Sequence, residues 1–235
     1  MGFVFSNRLA FAKAATIPFA GLVLCVLLDM FLKTAMVNAA TDVVTAVFLS
    51  MFSVKWHRFY LMGPEAATPS IGVRFGARER RFFFYLILLY GLFRVLNLLP
   101  DVASSEIGAV LILLLMLSVY LIILFLWGRI ILVFPATAVG RGVGFFADIV
   151  GSWKTMRGNA FRVSGAIFLA SILVLPPAGI TIYAILVKGG WPWAFTIFPL
   201  AAAVEIVIGG IGVTIASIAF DRLTGWRNTT AESPA

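Results

Sequence analysis

Few residues in this chain could do chemistry, and three of them are charges set inside apolar runs: Asp29, Arg94 and Glu205. Their types could supply an ion pair, a proton relay or a polar docking face. A charge in such surroundings is costly and normally faces protein or water. Glu205 is followed by Gly209, Gly212 and Ala216 on nearly the same helical face. Small residues let a second helix approach, so Glu205 is expected to face a neighbouring helix and not lipid. Arg94 shares its side of a helix with Tyr90, Gly91 and Asn97, and Asp29 has Lys33 one turn on. Arg94 paired with Asp29 or Glu205 would neutralise two charges, with Lys33 snorkelling to the surface. On the residues alone, a structural pair, a proton or solute pathway and a docking face for another subunit all stay open.

The one histidine, His57, stands between Trp56 and Arg58 where an apolar run ends. A general base needs a partner to orient it. The nearest acid in sequence is Glu65, at no fixed geometry, so His57 reads as a structural residue at a membrane edge. The one cysteine, Cys25, lies in an apolar run, which excludes an intramolecular disulfide and a cysteine-built cluster. The glycine-rich stretch from Gly140 to Gly144 lacks the following lysine of a phosphate-binding loop. No catalytic set, metal site or cofactor site is expected, and the chain reads as something other than an enzyme.

These residues must be positioned by apolar helices. Apolar residues make up 62% of the 235 positions and charged residues 12%, where a soluble domain would carry about a quarter charged. A bilayer accommodates that surface and water does not. Apolar runs at 14–32, 37–54, 82–99, 107–127, 163–187 and 194–220 predict an all-α bundle of six spans forming one domain over 1–235. The first run is longer than the apolar part of a signal peptide and reads as a signal anchor. The polar stretch 55–81, with Pro64, Pro69, Gly72 and Gly76, reads as a loop. Pro176 and Pro177 should kink or break the fifth run.

The net charge is +8. Basic residues cluster between spans, which points to topology and anionic headgroups and away from nucleic acid. With the N-terminus inside, only Lys33 and Lys188 of the 18 Lys and Arg fall on outside links, and Arg94 falls within a span. Every other one falls on an inside segment, so both termini are expected in the cytoplasm. Between spans four and five, Phe146, Ile149, Val150 and Trp153 recur at helical spacing. That predicts a short amphipathic helix over 145–157, lying in the inner interface or packed on the bundle. His57, Arg58, Arg129, Arg141, Trp153 and Arg157 are the residues expected to meet headgroups or a partner at that face.

Two stretches carry a resemblance. One runs through Trp56, His57, Arg58 and Gly63 and on past Arg81. The other holds Arg129, Pro135, Arg141, Ser152, Trp153, Arg157, Gly158 and Asn159. Together, over about a third of the chain, they resemble six-span bacterial inner-membrane proteins of uncharacterised role. These include the YciC-like proteins and the membrane domain beside some glycerophosphodiester phosphodiesterases. In the latter a separate soluble domain does the hydrolysis, and no such domain is in this sequence. The resemblance therefore implies a bacterial inner-membrane location and no enzymatic activity. The functional expectation is an accessory or assembly subunit acting through membrane-protein partners or lipids. The alternative is a small transporter or channel with a polar pathway near Glu205 and Arg94.

Overall fold

In the computed structural model the apolar runs form helices, because a helix satisfies every backbone N–H and C=O within one segment where no water is present. The structure describes residues 2–32, 34–67, 69, 71–96, 106–172 and 191–226. Among these are nine helices: α1 Gly2–Ser6, α2 Arg8–Leu32, α3 Ala35–Ala67, α4 Ala77–Leu96, α5 Glu106–Ile130, α6 Val133–Ala138, α7 Phe145–Thr155, α8 Ala160–Ile172 and α9 Trp191–Thr224. No strand occurs among the described residues.

Four segments are long and apolar enough to cross a bilayer: Arg8–Leu28, Ala39–Glu65, Leu117–Ala138 and Ala202–Thr224. The chain is a multi-pass membrane protein of the all-α class. The face of α5 bearing Leu117, Leu121 and Ile122 is exposed, as suits helices surrounded by acyl chains. The four segments overlap the first, second, fourth and sixth expected spans. The third lies on α4 as far as Leu96, and 97–99 fall outside the described residues. So do 173–187 of the fifth span, with Pro176 and Pro177, and the side chains of Asp29 and Arg94.

α3 and α9 are central. α3 packs on α2, α4, α6 and α9, and α9 packs on α2, α3, α6 and α8. One core cluster gathers Leu22, Phe52, Trp56, Phe59 and Ile206 with Val4 of α1. Trp56 is fully buried between Phe11 and Phe59 and donates its indole hydrogen to Thr214 Oγ1 at 2.9 Å. Pro18 and Pro199 sit inside α2 and α9, where neighbouring helices can compensate the freed carbonyls.

The expected loop 55–81 is corrected by the structure. α3 continues past Lys55 and breaks its helical geometry only at Gly63, with φ 81° and ψ 171°. The reason is the apolar pattern beyond the lysine: Trp56, Phe59 and Leu61 are all buried. Lys55 reaches off the helix to donate to the Gly72 carbonyl at 2.7 Å. Gly63 tolerates a positive φ that an L side chain resists, and Pro64 after it disfavours α geometry at position 63. The C-terminal stretch from Asp221 stays helical to Thr224, and Trp226 is anchored by donating to the Leu61 carbonyl at 3.2 Å.

Candidate functional site

Contacts gather the polar residues at one end of the bundle. α1 packs on α9, Trp226 on α3, and the 140–144 link on α4. Most of the described basic residues lie at this end, and it holds two sites.

The first is a cleft of about 710 Å³ between the end of α3, the link before α4 and the first turn of α4. Lys55, Arg58, Arg74 and Arg78 line it, against two carboxylates, Glu65 and Glu79. The Glu79 charge acts on Lys55 and Arg58, and its carboxylate also accepts the Gly76 N–H at 2.9 Å. That closes the start of α4 by the reach-back half of a capping box. Arg58 Nη1 is shut off from solvent and has no hydrogen-bond partner. A buried guanidinium N–H without an acceptor is unfavourable by about 1–3 kcal/mol or more.

The second is the platform of α7. Asp148 builds it: one carboxylate oxygen accepts the Val143 N–H at 2.9 Å and the other accepts the Tyr85 hydroxyl at 3.0 Å. The acid sits in the first turn, where the helix dipole favours a negative charge. Arg81 donates to the Gly142 carbonyl at 3.0 Å, and Phe145 stacks on Tyr85 with ring centres 5.0 Å apart. Gly140, with φ 83°, makes the turn into this link. Ser152 is buried and donates to the Arg129 carbonyl at 2.8 Å. Of the expected apolar stripe, Ile149 packs on the bundle. Phe146 is 79% exposed, and Val150 and Trp153 also face outward. Ile149 thus turns inward and Phe146 and Val150 outward, while Trp153, though partly exposed, packs edge-on against Phe125 of α5.

The expected contact residues are placed as follows. Arg129 lies over the rings of Phe125 and Trp153, at 5.2 and 5.0 Å, and donates to the Trp153 carbonyl at 3.1 Å. Arg141 lies over Trp226 at 4.5 Å. Such cation–π contacts contribute about 0.5–2 kcal/mol. Arg157 is exposed and Arg58 lines the cleft. His57 is a correction: expected at a membrane edge, it is fully buried and pairs with Ser217 across α3 and α9, Nδ1 to Oγ at 2.7 Å. Its neighbours in sequence, Trp56 and Val54, are core residues too, so the apolar stripe carries it inward.

Glu205, expected to face a neighbouring helix, is exposed on α9. Of the small residues after it, Ala216 is buried in a core cluster with Leu61 of α3, while the two glycines are open. A Cβ built on Gly212 meets nothing within 4 Å, and one on Gly209 only touches Phe52 at 4.0 Å. They open onto a central cavity of about 350 Å³, whose wall also holds His57 and Ser53.

Sequence reading missed the cleft as a unit. Its one legible signal was Glu79 three residues after Gly76, the capping-box spacing that draws the Arg74–Arg78 link close to α4. Asp148 in the first turn of the amphipathic helix was a second signal. The Ser217 pairing had none, because the two residues are far apart in sequence. Comparison of the chain with family models, with curated proteins and with solved structures finds no match.

Proposed function

We propose that this is a six-span protein of a bacterial inner membrane, with both termini in the cytoplasm. On this reading it works without enzymatic chemistry, by holding anionic phospholipid headgroups at its basic end and presenting that face to a membrane-protein partner. The six-span reading is supported by three out-and-back pairs. α2 leaves the basic end and α3 returns, α4 leaves and α5 returns, and α8 leaves and α9 returns. The cytoplasmic assignment is supported by the concentration of Lys and Arg at that end. The bacterial inner membrane follows from the resemblance in the two motif stretches.

The observation that carries the lipid reading is the cleft, with four cations against two carboxylates where headgroups would lie. Guanidinium groups bind phosphate oxygens through charge-assisted hydrogen bonds, and each basic residue near an anionic leaflet contributes about 1 kcal/mol. The exposed Phe146, Val150 and Trp153 of α7 suit burial at the acyl boundary beside it. The transporter alternative draws less support, since Glu205 is not on the wall of the central cavity.

The test is thermal unfolding in neutral detergent with added phosphatidylglycerol or phosphatidylcholine. A ligand bound to the folded state raises its stability by about 2.7 kcal/mol at a hundredfold excess over Kd. Phosphatidylglycerol should raise the melting temperature and phosphatidylcholine should not. Arg58→Gln with Arg74→Gln should remove the difference. Equal effects of the two lipids would count against the reading.

A further inference from the structure

We propose that the basic cleft takes a lipid phosphomonoester, of the phosphatidic acid class, in preference to a phosphodiester lipid. This rests on the headgroup reading and names the headgroup that the cleft suits best.

The charge on the walls is the first ground. Lys55, Arg58, Arg74 and Arg78 face Glu65 and Glu79, so four cations against two carboxylates leave a surplus of two positive charges. A phosphodiester head such as that of phosphatidylglycerol brings one negative charge. A phosphomonoester brings about −1.5 to −2 at neutral pH, with a second ionisation near pH 6 and three strong acceptor oxygens. The cations are also gathered. The charges of Arg78, Glu79 and Arg74 all act on Arg58, so three guanidinium groups share one neighbourhood with one carboxylate. Guanidinium groups recognise phosphate oxygens through charge-assisted hydrogen bonds, often in pairs. A terminal phosphate presents all three of its free oxygens to such a cluster. Two phosphodiester lipids would bring the same charge, but ordering two molecules costs more freedom than ordering one.

The rim commits the site to a lipid and not to a soluble phosphate. Lys55 donates to the Gly72 carbonyl at 2.7 Å, which ties the link before α4 to α3. Along that link Gly72, Arg74 and Gly76 line the cleft. Ile71 and Val73, which alternate with them, are 62% and 75% exposed. Large apolar side chains held beside a cluster of arginines suit a lipid, whose phosphate and acyl chains are joined by one short glycerol. A soluble phosphate would leave both side chains in water, where apolar surface is unfavourable. The cleft volume of about 710 Å³ lies in the range of small-molecule sites, roughly 300–1,000 Å³, and has room for the phosphate with its glycerol.

The full-length protein in neutral detergent is titrated with phosphatidic acid, phosphatidylglycerol and phosphatidylcholine of matched chains, and the melting temperature is followed. At about pH 7.5 phosphatidic acid should reach half its effect at about fivefold lower concentration than phosphatidylglycerol, the worth of one further charge pairing at a basic surface. At about pH 5 the monoester has lost its second charge, and the two anionic lipids should act alike. Glu65 and Glu79, the carboxylates on the cleft, meet either lipid, so the ratio between the lipids reads the charge of the lipid. Arg74→Gln should bring that ratio toward one. Ile71→Ser with Val73→Ser should weaken phosphatidic acid severalfold, and free glycerol phosphate in about hundredfold excess should not displace it. Equal action of the two anionic lipids at about pH 7.5, both above phosphatidylcholine, would overturn this proposal and leave the headgroup reading standing. No effect of either anionic lipid would overturn both. A preference that persists at about pH 5, or survives Arg74→Gln unchanged, would overturn the role given to the second charge. Displacement by glycerol phosphate, or full affinity in the Ile71 and Val73 variant, would overturn the assignment to a lipid.

Discussion

Gly128 and Gly212 are both glycines inside apolar helices, and they serve opposite ends. At Gly128, α5 and α8 touch. A Cβ there would run into Ser164 Oγ and stand 2.7 Å from the Ala160 carbonyl oxygen. The same seam holds an interhelical hydrogen bond, Ser164 Oγ to the Leu124 carbonyl at 3.0 Å. This is close packing by small residues, with a polar group as glue. At Gly212 a Cβ would meet nothing within 4 Å, and the missing side chain is space. The difference lies in what stands opposite each glycine, not in the residue type.

That contrast can be broken by filling each position. Gly128→Val should be the most damaging change, because its obstacle includes rigid backbone. Overpacking typically costs about 1–3 kcal/mol, and the upper end is expected here, read as a large drop in melting temperature or loss of folded protein. Gly210→Val should cost less. The nearest obstacles to its Cβ are side-chain atoms of Phe11 and Phe52 and not backbone. Gly212→Ala should go the other way, raising stability by about 0.5–1 kcal/mol through helix propensity alone. A loss there would mean that the cavity face is tighter than described. Ser164→Ala should be smallest, near the ~0.6 kcal/mol typical of interhelical hydrogen bonds in membranes. If it rivalled Gly128→Val, the seam would be held by polar glue more than by fit.

The sequence made the helical class legible, because apolar runs of span length have one solution in lipid. It also showed the basic end, since Lys and Arg gathered between runs. The amphipathic segment at Phe146, Val150 and Trp153 was readable from its spacing, and the structure has α7 over Phe145–Thr155. What failed were readings that depend on a partner across space. Lys55 looked like the end of a span, yet the helix continues because the lysine side chain leaves toward Gly72 while Trp56 and Phe59 stay in the core. His57 looked interfacial because it adjoins Arg58, and its true neighbour is Ser217. Gly209 and Gly212 looked like a helix seam, and the close approaches are at Gly21, Gly128 and Gly210 instead. Periodicity tells which face a residue is on and does not tell whether that face meets a helix or a void.

The central claim is that anionic headgroups sit in the cleft of Lys55, Arg58, Arg74 and Arg78. Its most direct test is photolabelling in bilayers with a phosphatidylglycerol bearing a diazirine on its headgroup, followed by mapping of the adducts. The account predicts adducts concentrated between residues 55 and 79, lost in Arg58→Gln with Arg74→Gln and absent with the phosphatidylcholine counterpart. Adducts spread evenly over the exposed surface, or the same pattern from both lipids, would contradict it.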